Sequence, residues 1–264
     1  MNTEEFKRLL AERGEALYRD MPWRRDTRPY YVLVSELMLQ QTQVPRVTPK
    51  FEAFIAQFPN EKSLAAATLS DVLIAWQGLG YNRRAKFLHE AAKKITANGS
   101  FPSTFDELVQ LPGVGKNTAG AILVYSFNKP ELFIETNVRT VYIHHFFANQ
   151  VDIDDKQIIE LVEQTIDYEN PRRFYQALMD YGSFLKSQGV RNNSSSKQYK
   201  RQPTLKGSVR EVRGQIIRTL SGGPCTTKEL RTAVSADERF DRALNGLLAD
   251  GLVAYIGNQL DLTK

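Results

Sequence analysis

A carboxyl group set among apolar neighbours can hold a proton near neutrality and release it in a reaction, and Glu36 has that setting. If the run 30–44 is helical, the residues three and four positions from Glu36 are Val32, Leu33, Leu39 and Gln40, mostly apolar. A glutamate on the solvent edge of a helix is the commoner alternative, and the apolar surround weakens it. A second kind of chemistry belongs to Leu111-Pro112-Gly113-Val114-Gly115. Its glycines leave bare amides at the start of a helix beginning near Lys116-Asn117-Thr118, where unpaired N–H groups and the positive dipole end make a seat for a phosphate. An ordinary packing turn between helices is the other reading. Gly78 and Gly80 lead into Tyr81, Asn82, Arg83 and Arg84. That pattern suits either backbone lying close to a ligand, with Tyr81 free to stack or wedge, or a helix end with a core tyrosine.

The elements that must position these residues read as helices. Residues 3–18 carry Phe6, Leu9, Leu10 and Leu17 on one side and charged residues on the other. A loop then holds Trp23, Arg24 and Arg25, with Trp23 read as a buried anchor rather than a stacking surface. One helix is expected from Tyr30 through Val44, and more helices over 45–99, broken at Pro59-Asn60 and at the Gly78–Gly80 turn. From Ser103 to Phe147 a short helix, the Leu-Pro-Gly turn, a second helix and a third entered through Glu135-Thr136-Asn137 form one unit. Ser103 or Thr104 caps the first, with Asp106 or Glu107 three residues on. Helices near 154–169 and 171–186 follow. The stretch from Ser187 to Arg210 has the run Asn192-Asn193-Ser194-Ser195-Ser196 among six basic residues and no acid, the composition of a flexible basic linker. Residues 208–264 read as three helices and a hairpin turning at Gly257-Asn258, the winged-helix arrangement, which serves DNA contacts in some proteins and protein contacts in others. The division expected is therefore 1–186, a linker over 187–207, and a winged part over 208–264.

The 264 residues, 42% hydrophobic and 25% charged, suffice for a real core, and the net charge of +5 suits a nucleic-acid partner without requiring one. No run approaches a membrane span, and Met1-Asn2-Thr3-Glu4-Glu5 lacks the pattern of a signal peptide, so an intracellular protein with no membrane partner is expected. The single cysteine, Cys225, excludes an internal disulfide and any four-cysteine metal or cluster site within the chain.

Several segments together resemble the MutY adenine DNA glycosylases of the endonuclease III superfamily, over roughly residues 5–186. They are Pro22-Trp23-Arg24, Ser35-Glu36 with Leu39-Gln40-Gln41-Thr42-Gln43-Val44, Gly78-Leu79-Gly80-Tyr81, the Leu-Pro-Gly-Val-Gly turn, Thr118-Ala119-Gly120-Ala121 and Gln176-Ala177-Leu178-Met179-Asp180. The resemblance implies an all-α helix-hairpin-helix DNA glycosylase fold with a small C-terminal winged-helix (α+β) domain. It implies base excision from double-stranded DNA holding adenine mispaired with guanine or 8-oxoguanine, by a monomer. Glu36 would be the general acid at N7 of the extruded adenine and Glu135 the carboxylate at the sugar. Trp23, Arg24, Gln176 and Asn137 would line the base pocket. Gln41 and Tyr81 would fill the opened stack, and Gly113, Gly115, Lys116 and Thr118 would hold the backbone. A mismatch thymine or uracil glycosylase and a DNA-binding protein with a decayed site are the alternatives.

The chain departs from that family at marked places. Asn117 stands where members that also cut the strand have a lysine, which implies a glycosylase without lyase activity. Glu135 stands where the family has an aspartate, a carboxylate one methylene longer. No cysteine lies between Ser183 and Arg210, so no iron–sulfur cluster and no other cofactor is expected. The winged segment takes the place of the family's usual C-terminal domain.

Overall fold

The computed structural model describes residues 1–199 and 204–264. Local chemistry sets most helix starts. α1 (Thr3–Ala16) opens on a capping box in which Asn2 and Glu5 satisfy each other's amides. The expected loop at Trp23 is instead a single turn, α2 (Pro22–Arg25), because Pro22 pre-sets the backbone angle of a first helical residue.

The expected single helix over 30–44 is two. α3 (Pro29–Leu39) stops at a turn with Gln41 left-handed (φ 56°), and α4 (Val44–Gln57) restarts with Pro45 in its first turn. The apolar period lapses over Gln40-Gln41-Thr42-Gln43 and Pro45 has no amide to carry a helix on, while the carbonyls freed at the end of α3 are taken by a distant side chain, Arg84, described below. α5 (Glu61–Ala66) and α6 (Leu69–Ala75) are each opened by a capping box, at Asn60 and Thr68. α7 (Arg83–Asn98) ends on left-handed Gly99.

In the hairpin, α8 (Phe105–Leu108) is capped by the pair Thr104 and Glu107. α9 (Lys116–Phe127) follows the glycine turn, and an extended stretch leads to α10 (Thr136–Phe146). α11 (Asp155–Thr165) and α12 (Pro171–Ser187) complete this part. In the winged region α13 (Val209–Leu220), a two-residue strand β1 (Cys225–Thr226), α14 (Thr227–Ala233) and α15 (Phe240–Ala249) precede β2 (Val253–Ile256) and β3 (Gln259–Leu262). The sheet is antiparallel in the order β1-β3-β2. The hairpin matches the sequence reading. β1 is an addition too short to show a period, pairing Cys225 with Leu260.

Contacts group the chain into two units that do not follow the division expected from the sequence. The first comprises Met1–Val32, Ser103–Gln110 and Val114–Arg201; the second comprises Leu33–Pro102, Leu111–Gly113 and Gln202–Lys264. The winged region falls within the second unit. Its Arg213 pairs with Asp250 at 2.5 Å, and Asp250 also receives Lys86 of α7 through its carbonyl at 2.8 Å.

The core of the first unit is built around Phe6, Tyr142, Phe133, Tyr175 and Leu178, with Phe133 and Tyr175 stacked at 4.1 Å. The core of the second includes Leu33, Leu37, Met38, Phe51, Phe54 and Trp76, all essentially inaccessible.

The linker expected over 187–207 is structured in its first half. Asn192–Ser195 form a 3-10 turn whose Asn192 and Asn193 amides bond the Thr140 carbonyl and hydroxyl at 2.9 and 2.8 Å, and Ile153 bridges to Ser196. Asparagine and serine, read as flexible composition, here satisfy backbone groups of α10. Lys200 and Arg201 of that stretch lie outside the described residues. Among the described residues no helix is long and apolar enough to cross a membrane.

Candidate active site

Glu36 sits in the middle of α3, half-buried, with Ser35, Leu37 and Met38 inaccessible on either side. One turn before it Val32 and Leu33 are buried, and one turn after it Leu39 and Gln40 are half-buried. What fixes the end of this helix is Arg84, only 7% exposed. Its guanidinium donates to the carbonyls of Leu37 (2.5 Å), Met38 (3.1 Å) and Gln40 (2.6 Å), and to those of Leu79 (3.3 Å) and Gly80 (3.1 Å). Those are the orphan carbonyls of a helix end and of a glycine turn, satisfied by one cation. Burial pulls the Arg84 pKa down to about 10, so it stays charged at neutrality.

The consequence is positional. Gln41 and Tyr81 are both non-glycine residues in the left-handed region, at φ 56° and 50°. Such residues cost on the order of 1–3 kcal/mol unless their surroundings hold them. Arg84 grips the carbonyl immediately before each, at Gln40 and at Gly80. The two residues expected to fill an opened base stack are therefore set by the same side chain. Tyr81 is not the core tyrosine of the alternative reading. It is half-buried, with the Arg84 and Arg210 guanidiniums 5.4 and 4.7 Å from its ring centre.

The two glycines of the hairpin serve different needs. Gly113 is left-handed (φ 79°), and a Cβ there would lie 2.8 Å from Phe87 Cβ, so only glycine fits. Gly115 has an ordinary backbone, caps α9 without a side chain, and would meet nothing within 4 Å. Open space in front of the first amides of α9 is what an incoming phosphate oxygen needs. Lys116 is exposed there and Thr118 half-buried.

Asn117 has a task beyond not being a lysine. Its amide donates to the Ile134 carbonyl at 2.8 Å, tying the start of α9 to the residue before Glu135. The extended stretch is also held by Tyr175, whose hydroxyl donates to the Glu131 carbonyl (2.9 Å) and accepts from the Phe133 amide (3.1 Å). Glu135 itself is at the N-cap position of α10 but makes no capping hydrogen bond, which leaves its carboxylate for other work. Burial pushes the Glu135 carboxyl up to about 7, against the pull of the Lys186 ammonium. Lys186 in turn is lowered by its own burial and by Arg19 and Arg191. Its location follows from helix geometry. α12 meets α10 so closely that a Cβ on Gly182 would lie 2.6 Å from the Asn137 carbonyl oxygen, and Lys186 is one turn beyond Gly182.

The residues expected to share one base pocket are differently engaged. Trp23 is buried at 7% exposure, the anchor the sequence suggested. The Arg24 guanidinium makes a two-pronged bond to buried Asp180 at 2.6 and 3.0 Å, and Arg19 joins the same carboxylate at 2.5 Å. Arg24 thus braces α2 against α12. Asn137 donates to Met179 Sδ at 3.6 Å while its Oδ1 is buried with no partner. Gln176 borders a cavity of about 490 Å³ with Glu15, Tyr18, Asn128, Asn170, Arg172 and Arg173, and none of the other three lines it.

From the sequence Arg84 was named only within the Gly78–Arg84 pattern and Asp180 only within a motif, and Lys186 was not named. For Arg84 a signal existed, since two arginines one residue after a Gly-Leu-Gly-Tyr turn are well placed to cap it. Asp180 was a quoted residue without a role, and nothing local marks Lys186. The segment after α12 is occupied by the 3-10 turn bonded to Thr140.

A helical chain in which a glycine hairpin precedes a helix opened by a carboxylate, with a second carboxylate on a buried helix, defines a helix-hairpin-helix protein. Comparison with known proteins agrees. The chain belongs to the HhH-GPD superfamily of base excision DNA repair proteins, whose profile matches residues 34–167. It is 33% identical to an adenine DNA glycosylase of Mycolicibacterium smegmatis over 260 residues, 89% of this chain and 88% of that one. It is 40% identical to an adenine DNA glycosylase of Buchnera aphidicola over 171 residues, 62% of this chain but 48% of that protein, so it spans about half the relative's length. Among solved structures, a thermostable thymine-DNA glycosylase matches with a TM-score of 0.61 at 25% identity, over 69% of this chain and 86% of that one.

Proposed function

We propose that the chain is a DNA N-glycosylase that removes adenine mispaired with guanine or 8-oxoguanine. The observation that carries the reading is a half-buried Glu36 on α3 followed by Gln41 in a left-handed turn gripped by Arg84. Two carboxyls suit the two needs of glycosidic cleavage. Glu36 protonates N7 of the extruded adenine, so the base leaves neutral as the bond from its N9 to the sugar breaks. Glu135, ionised above about pH 7, faces the positive charge that develops on the sugar and guides the water that adds to it. The amides of α9 behind Gly115, with Lys116, hold a backbone phosphate of duplex DNA.

Asn117 carries no amine to attack the sugar, so the product is an abasic site in an uncut strand. The reaction is a hydrolysis and calls for no cofactor. One chain supplies every group named, which suits a monomer, and a genomic substrate suits a cytoplasmic location with the DNA.

Incubation with duplex containing adenine opposite 8-oxoguanine, followed by alkali, should reveal cleavage at that adenine. Glu36→Gln should abolish it. The likeness to a thymine-DNA glycosylase supports a second reading, in which thymine or uracil is the released base. A panel of mispairs separates the two. Binding without release of any base would sink both and leave a DNA-binding protein with a decayed site.

A further inference from the structure

Polar contacts tie the winged region to one short stretch of the second unit, the glycine turn and the helix start after it, residues 77–86. The Gln77 side-chain amide donates to the hydroxyl of Ser221, the residue that closes α13. Asp250, which closes α15, takes Lys86 on its carbonyl at 2.8 Å and Arg83 on its carboxylate at 3.5 Å, and the same carboxylate holds Arg213 of α13 at 2.5 Å. Arg210, in the first turn of α13, donates to the Tyr81 hydroxyl and sets its guanidinium 4.7 Å from the ring centre.

α13 therefore runs along the turn in the opposite chain direction, anchored at Tyr81 near its start and at Gln77 at its end. From Arg210 to Ser221 is about 16 Å of helix. The turn it spans is left-handed at Gly78, Gly80 and Tyr81 (φ 91°, 69° and 50°), a conformation that glycine adopts freely and tyrosine does not. Arg84 holds the backbone of that turn through the Leu79 and Gly80 carbonyls. Arg210 holds the side chain.

The needs of α13 do not account for Arg210. A cation in the first turn of a helix opposes the helix dipole, and Glu211 beside it is the residue that suits the position. Arg239 secures that turn by bonding Glu211 at 3.1 Å and the Ser208 carbonyl at 3.4 Å. What Arg210 meets is a hydroxyl acceptor and an aromatic ring, and a guanidinium engages both at once.

We propose that the winged region is an intramolecular brace for the Gly78–Tyr81 turn, with Arg210 the positioning residue that presents the Tyr81 ring in a fixed orientation. A ring oriented before it enters a base stack loses less freedom on entering, so opening the duplex costs less. α15, the helix that reads the major groove in helix-turn-helix modules, here acts through Asp250 by joining α7 to α13. The inference rests on the reading of the chain as an enzyme that opens duplex DNA.

The test sets the full chain against two duplexes, one intact and one with a stable abasic analogue, so that opening is read without any base release. Arg210→Met, which keeps the stem and loses the donors, should weaken binding to the abasic duplex about tenfold and leave binding to the intact one little changed. Tyr81→Leu should do the same. The double variant should bind no more weakly than Tyr81→Leu alone, as expected when one residue acts through the other. Arg210→Lys, which keeps a donor for the hydroxyl, should recover part of the loss, and Asp250→Asn should show a smaller loss of the same kind. Multiplied effects in the double variant, or a slope of log K against log salt reduced by about 1 in Arg210→Met, would make Arg210 a phosphate contact and overturn the proposal. Equal losses on both duplexes, no loss in Arg210→Met or Asp250→Asn, no recovery in Arg210→Lys, or a wild-type chain that binds both duplexes alike would overturn it too. A chain that prefers the abasic duplex yet releases no base would count against the glycosylase reading alone.

Discussion

The two carboxyls are held by opposite means. Glu36 belongs to the middle of α3, and what is specified around it is the end of the helix, by one buried cation that takes five carbonyls from two turns. Glu135 is the first residue at a helix entrance, held from several sides by weak contacts: Asn117 on Ile134, Tyr175 on Glu131 and Phe133, and the close meeting of Gly182 with Asn137. A single grip should fail all at once, whereas a shared one should fail by degrees. That contrast separates what a substitution does to stability from what it does to the position of one carboxylate.

The largest effect should come from Arg84→Met. The variant fills the space but leaves buried carbonyls without donors, each worth about 1–3 kcal/mol, so a loss of about 3 kcal/mol or more is expected in a denaturant titration. Gln41 and Tyr81 would relax from their left-handed conformations, and base release should vanish even where the fold survives. A variant with wild-type midpoint and activity would show that the turns hold themselves, and would remove the contrast.

Gly182→Ala should act on the other side. The added methyl meets Asn137 backbone and Cβ at 2.6–2.9 Å, and must push α10 away from α12. Overpacking of this kind destabilises by about 1–3 kcal/mol. A displacement of about an ångström at Glu135 is expected to lower the single-turnover rate on the order of a hundredfold. If stability falls and the rate does not, Glu135 is not positioned through this contact.

The legible part of the fold was the part written locally. Capping pairs such as Thr104 with Glu107 and Thr226 with Glu229, the hairpin glycines and the β2–β3 turn can be read from spacing because their partners lie within a few residues. The grip on the end of α3 was not legible, since Arg84, which makes it, is more than forty residues away. The 3-10 turn at Asn192 was missed for the same reason: its partner, Thr140, lies on another helix. In the site, the identity of the carboxyls came from residue type and resemblance, but their settings did not. Arg24 could be named from its motif, while its engagement with Asp180 depends on where α12 passes.

The smallest effect is the most specific. Because burial raises the Glu135 carboxyl from its ordinary 4.5 to about 7, its protonated form stabilises the fold below about pH 4.5, and that contribution is lost as the pH rises through about 7. Activity should run the other way, since only the ionised carboxylate supports positive charge on the sugar; kcat/KM should climb through a limb near pH 7. Lys186 opposes the shift, so Lys186→Met, which keeps the stem and removes the charge, should move that limb to higher pH and lower the rate at neutrality several-fold while sparing it at high pH. Lys186→Arg should restore the limb. A role for Lys186 in packing alone would lower the rate equally at every pH, and a limb that stays in place would assign the titration to another group.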